Sequence, residues 1–265
     1  MAKILPLATR AFGAEPGVPD ITELAGWVAD HRGTTTDLQG FRLDVSLAPQ
    51  LDSGIMFPCA GGLFCRGRIL ESLTGLSDDR HSAVGEIDVD PGALAGDALM
   101  LAAQRKEVWY ALPAPHTLGI TDTYYGDDDE WCNALTGAYR TLMRAMRDAG
   151  IGGHVLICDT VEETEISALS GKKVFFFAPA PERENLLTLM EYQRQVAVGN
   201  TMLETVFDLA GEYELRRLIV TDPDDNGIRL ALSHLDPDQV IAGGYCTDAC
   251  NTYWKELVKS AVYVK

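Results

Sequence analysis

Several things are scarce or missing in this chain, and each narrows what it can be. No apolar run approaches the length needed to cross a bilayer as a helix, which sets aside a membrane-spanning helix. Positive charge is short: 22 Lys and Arg stand against 39 Asp and Glu, a net charge of −17. A surface that acidic repels phosphate backbones and anionic lipid headgroups, so neither nucleic acid nor a membrane is expected as a partner. Cysteine is sparse, six in 265 residues, too few for a disulfide scaffold. Six reduced thiols and a cytoplasmic setting are expected, with Cys158 a buried thiol at the end of an apolar run. The N-terminus, MAKILPLATRAFG, has neither the hydrophobic region nor the cleavage site of a signal peptide. There is no Walker A loop, dinucleotide fingerprint, nucleophile elbow, internal repeat or low-complexity stretch.

What is present is an ordinary globular composition. Apolar residues make up 46% and charged residues 23%, and the length suits one large domain or two small ones. Continuous apolar runs at 108–112, 155–158, 174–178, 218–220 and 240–242 read as strands buried on both faces, with helical stretches between them. The clearest unit spans 215–246. A short apolar strand leads into the turn-rich Asp222-Pro223-Asp224-Asp225-Asn226-Gly227, a short helix follows, and a second apolar strand returns. Residues 182–214 read as a long helical stretch, split or kinked at Gly199-Asn200.

The first hundred residues read differently. Asp20 and Glu23 mark a helix start, and Gly33 its end. Phe41, Leu43, Val45 and Leu47 alternate with Arg42, Asp44 and Ser46, the pattern of a strand with one face in solvent. The resulting fold class is α/β, a mainly parallel sheet with helices on both faces. It is doubly wound from 107 to 265, with residues 1–106 adding a mixed α/β portion packed on the same core. Counting every candidate strand gives roughly eight βα steps, so a (βα)₈ barrel is the alternative. The one-sided strand at 41–47 speaks for the open sheet.

In either arrangement the carboxyl ends of the parallel strands share one edge, where ligands bind. The residues that follow each run include His116, in Pro113-Ala114-Pro115-His116, then Asp159, the Asp222/Asp224 cluster, and Gly243, Gly244 and Cys246. Carboxylates suit a hard divalent ion, Mg²⁺ or a similar one, and paired with an imidazole they suit acid–base chemistry. His116, Asp222 and Asp159 are therefore the candidate catalytic residues and Asp222 and Asp224 the candidate metal ligands. Gly243, Gly244, Cys246 and Arg66 are candidates for holding a small-molecule ligand. The bland reading of the same aspartates is that they cap helices and form turns. The 222–227 stretch opens like a calcium loop but has Ser233 where the bidentate Glu belongs. Neither Cys59/Cys65 nor Cys246/Cys250 has the usual C-x₂-C spacing of a metal-thiolate site.

A series of βα units with a cysteine after its last strand resembles the zinc methyltransferase barrels. The His-x-Cys pair of such a zinc site is missing here, where Pro179-Ala180-Pro181 follows 174–178. Two functions are thus in view: an enzyme acting on a small polar molecule, a metal-assisted hydrolase or transferase, or a non-catalytic binding or assembly protein. For assembly, the apolar residues of 182–214 would supply the contact surface of a homodimer or larger oligomer.

Overall fold

In the computed structural model, residues 3–31 and 37–264 are described. Gly33, expected to end the first helix, lies outside them. Eight strands run parallel: β1 (Ala8–Ala14), β2 (Cys59–Gly61), β3 (Trp109–Pro113), β4 (Gly153–Ile157), β5 (Val174–Phe177), β6 (Gln195–Gly199), β7 (Arg217–Thr221) and β8 (Val240–Cys246). The apolar runs read from the sequence are five of these, and the mainly parallel α/β class is what the chain adopts. The strands form two four-stranded sheets, β2-β3-β4-β5 and β6-β7-β8-β1. A parallel bridge between Arg10 and Phe57 links the two at the start of β2.

Within each sheet strands consecutive in sequence lie side by side, apart from β8, which also pairs with β1, and the isolated bridge is the backbone link between the sheets among the described residues. Phe12 of β1 stacks on Phe177 of β5 with ring centroids 4.2 Å apart, and on Phe175 at 5.3 Å. In a flat sheet β1 and β5 would lie four strand spacings apart, about 19 Å. Their side chains meet because the two sheets face one another across a shared core.

Two gaps in the wall are closed by amide side chains. Between β5 and β6 no backbone ladder exists among the described residues. Gln193 instead accepts from the Phe176 N–H at 3.0 Å and donates to the Phe176 carbonyl at 2.9 Å. Along β2, Gln50 donates to the Cys59 carbonyl at 2.7 Å and accepts from its N–H at 2.8 Å, and the Ser46 hydroxyl accepts from the Gly61 N–H. Each amide presents the donor and acceptor that a neighbouring strand would have supplied. Gly13, at φ +112°, lets β1 pass close to β2, since a Cβ there would run into the Gly61 carbonyl.

Gln50 and Ser46 explain one departure from the sequence reading. Residues 41–47 are not a strand but lie within a helix, Leu38–Asp52, capped by Asp37 accepting from the Gly40 N–H. Its buried face is Phe41, Leu43, Ser46, Leu47 and Gln50, a helical spacing in which two polar residues face inward to bond β2. With that strand gone, so is the argument it made against a closed wall. A second departure is β6, which interrupts the expected 182–214 helix. Arg183–Tyr192 and Leu203–Leu209 are separate helices with the strand between them. Leu186, Leu189, Met190, Leu203, Val206 and Leu209 are buried within the chain itself, while Leu187, Met202 and Phe207 are half-buried.

A three-stranded mixed sheet (Leu73–Leu76, Ser82–Val89, Thr121–Asp122) decorates the wall, and Ile4–Pro6 pairs with Val262–Val264. No helix among the described residues is long and apolar enough to cross a membrane.

If Gln193 substitutes for a missing ladder, Gln193→Ala leaves the Phe176 N–H and carbonyl unpaired and should destabilise the fold by about 1–3 kcal/mol. Urea unfolding should show a lower midpoint with an unchanged slope.

Candidate active site

The strand ends bring together two of the residues singled out from the sequence, together with one that was not. The β3–β4 pairing continues past β3, with the Ala114 N–H donating to the Ile157 carbonyl at 2.7 Å. This fixes the turn Pro115–Leu118 beside the end of β4. His116 in that turn lies between two carboxylates. Its Nδ1 is 2.8 Å from Glu165 Oε2 and its Nε2 is 2.9 Å from Asp159 Oδ1. The His116 backbone N–H also donates to Glu165 Oε1 at 2.6 Å, so Glu165 grips both the ring and the main chain.

The two carboxylates differ in setting. Glu165 is 7% exposed, on the buried face of the helix Glu163–Leu169 with Ile166 and Leu169, whereas Asp159 is 81% exposed. Burial works against a charge on His116. The hydrogen bonds and negative charges of Glu165, and then of Asp159, outweigh it and lift the imidazole from 6.5 to about 9. Asp159 is correspondingly held below the usual carboxylate value, first by its bond to His116 and then by the Thr160 N–H.

At neutral pH the ring is therefore an imidazolium that donates from both nitrogens. It is suited to giving a proton rather than taking one. Only Asp159, exposed and at the rim, has to turn away to uncover the Nε2–H. An open cleft of about 190 Å³ lies against His116, walled by Trp131, Leu135, Thr136 and Glu162.

Other expected site residues lie apart from this group. Asp222, in the left-handed region at φ +47°, accepts from the Tyr253 hydroxyl. Asp224 caps the helix Asp225–His234, accepting from the Gly227 N–H at 2.6 Å. Asp159, Asp222 and Asp224 are thus each held by a different partner: His116, Tyr253 and the Gly227 N–H. Among the described residues no group of three or more His, Cys, Asp or Glu is placed to hold a metal. Arg66 donates from Nε and Nη2 to the Leu118 carbonyl, at 3.0 and 2.6 Å, and so anchors the end of the His116 turn. Gly243 packs in the interior, where a Cβ would meet Ile219 and Phe12, and Gly244 backs onto the Tyr253 hydroxyl. Cys246 is joined to Cys250 in a disulfide, which corrects the expectation of six thiols; the other four cysteines are free.

Sequence reasoning missed Glu165 and a group at the strand-end rim in which the Tyr245 hydroxyl and the Leu63 N–H both donate to Glu15. The signal for Glu165 was a carboxylate on the apolar face of a short helix, next to Ile166 and one turn before Leu169.

No family model matches the chain, and no curated protein matches it. Solved structures do. The putative vitamin-B12-independent methionine synthase from Listeria monocytogenes superposes with a TM-score of 0.69 at 16% identity, over 97% of this chain and 96% of that one. A B12-independent methionine synthase from Shewanella sp. W3-18-1, in complex with selenomethionine, gives a TM-score of 0.67 at 14% identity, over 97% and 96% of the two chains. The likeness is one of fold. A zinc site of the methyltransferase kind does not fit the donors present: Cys246 is bonded to Cys250, and Pro179-Ala180-Pro181 follows β5.

Two outcomes follow from these contacts. The His116 ring should titrate near pH 9 by NMR, and Glu165→Gln should bring it down toward 6.5. Since the folded value is raised, the pair's contribution to stability is complete below pH 6.5 and is lost as pH rises through about 9. Asp224→Ala should cost about 1 kcal/mol as a lost cap while Asp224→Asn should be nearly neutral, both read from denaturant midpoints.

Proposed function

We propose that this chain is an enzyme acting on a small polar molecule at the C-terminal edge of its parallel strands, with His116 as the proton-transfer group. The observation that carries this reading is the imidazole held between a buried and an exposed carboxylate, Glu165 and Asp159, where the β3 and β4 ends meet. Glu165 fixes the ring and supports its charge, as the buried acid of a His–carboxylate pair does. Asp159 occupies Nε2 until a substrate acceptor replaces it. The step that fits an imidazolium is delivery of a proton to a leaving group, which hydrolysis and group transfer both require. The scheme is built on His116, Glu165 and Asp159 alone; Asp224 caps a helix and Asp222 bonds Tyr253.

The second reading is a binding protein without turnover. It is favoured by the mouth itself, where Glu15, Asp222 and Asn200 already have partners within the chain. The Shewanella neighbour holds selenomethionine, so a thioether amino acid is the first molecule to try.

The test is a panel of small polar molecules that includes L-methionine, screened by thermal shift and then for products by mass spectrometry. Any turnover found should fall about 10²- to 10⁴-fold in His116→Gln, the usual worth of a positioned acid, with the fold intact. Full activity in His116→Gln would overturn the assignment. Binding without turnover would leave the second reading in its place.

A further inference from the structure

A second region of the strand-end rim carries chemistry that the His116 group does not use. Between the segment after β1, the helix Leu38–Asp52 and the loop after β8 lies an open cleft of about 400 Å³. Glu15, Glu23, Asp44 and Asp248 line it, together with Cys250, and none of its lining residues is Lys, Arg or His. The partners of these acids are neutral donors. Glu15 is bonded by Tyr245 and the Leu63 N–H, and Asp44 by the Trp27 indole and the Gln104 amide. None of the four makes an ion pair among the described residues. Arg42, one turn or less from Asp44 on the same helix, donates to the Pro16 carbonyl and lies 4.2 Å over the Phe64 ring. Among the residues that line the cleft, four carry negative charge and none carries positive charge.

The disulfide lies at the wall of that cleft, and its two sulfurs are not equivalent. Cys246 is fully buried at the end of β8, and Cys250, at the first position of the helix Cys250–Ser260, is half-buried and faces the cleft. We propose that Cys246–Cys250 is a thiol–disulfide exchange site that takes small cationic thiols. The incoming thiolate attacks the Cys250 sulfur, the reachable one. The Cys246–Cys250 bond breaks, a mixed disulfide forms on Cys250, and Cys246 leaves as a thiolate that takes up the proton released by the incoming thiol. Its thiol then donates to the Asp248 carbonyl, 3.2 Å from the sulfur. A second thiol attacks the mixed disulfide, releasing the small-molecule disulfide and the Cys250 thiol. Two thiols are oxidised and one protein disulfide is reduced. Selection comes from the four carboxylates, which concentrate cations and repel anions before either reaches the sulfur.

The test uses the full chain and three probes of similar size: cysteamine (cationic), 2-mercaptoethanol (neutral) and 2-mercaptoethanesulfonate (anionic). Thiols counted in denaturant without reductant should number four, as for the four free cysteines; a count of six would overturn the proposal. Rate constants per thiolate for native protein, divided by those for an uncharged small disulfide, should favour cysteamine over the sulfonate by about tenfold or more at low salt. That preference should collapse toward unity in 1 M NaCl. Glu23→Gln and Asp248→Asn should each reduce it. Mass spectrometry of the quenched reaction should find the first adduct on Cys250. Equal normalised rates for the cationic and anionic probes at low salt, or an adduct on Cys246, would overturn the proposal.

Discussion

A parallel wall can close only if every backbone donor and acceptor along it finds a partner, because an unpaired peptide group inside a protein costs as much as a lost hydrogen bond. This chain meets that demand by ladders along most of the wall and by side-chain amides at two places. Gln50 stands in for a strand beside Cys59, and Gln193 does the same beside Phe176. Both amides come from outside the strands, one from a helix and one from the residue just past a helix. Across the core between the two sheets Phe12 stacks on Phe177.

The strand-end rim divides its polar groups by function and by setting. On the β3–β4 side a buried glutamate holds an imidazole in charged form while an exposed aspartate covers its outer nitrogen. On the β1–β8 side a tyrosine and a glutamate are bonded to each other beside an acidic cleft whose wall contains a disulfide. The β7 end uses its aspartates for local structure. A likeness in fold to methionine synthase structures extends over nearly the whole chain, yet the side chains gathered at the rim are this chain's own arrangement and the chemistry has to be argued from them.

Much of this was legible in the sequence, and the failures have physical causes. The strands after residue 107 announced themselves as apolar runs because both of their faces are buried. His116 and Asp159 were both legible as strand-end residues, and the pairing of β3 with β4 is what brings them into contact. The helix Leu38–Asp52 was misread because Ser46 and Gln50 break the apolar stripe, and they break it for the sake of bonding β2. The strand Gln195–Gly199 was hidden because it has only three apolar residues and lies between two helices. Glu165 gave a faint signal, since one acid among apolar neighbours looks like an ordinary solvent-facing residue until its partner is known. The Cys246–Cys250 bond depends on a turn that places two sulfurs together, and spacing in the sequence does not reveal that.

The division of the wall into two sheets also separates two histories during synthesis. β2-β3-β4-β5 is continuous in the chain, so it can assemble while the remainder is still being made, with contacts between near neighbours in sequence. The other sheet pairs β8 with β1, and Ile4–Pro6 pairs with Val262–Val264, so β1 must wait for a strand made far later in the chain. Until then β1 has one edge open and Phe12 without its full surroundings. Contacts so distant in sequence are slow to form, and an exposed strand edge in the interval is a place where two nascent chains can pair.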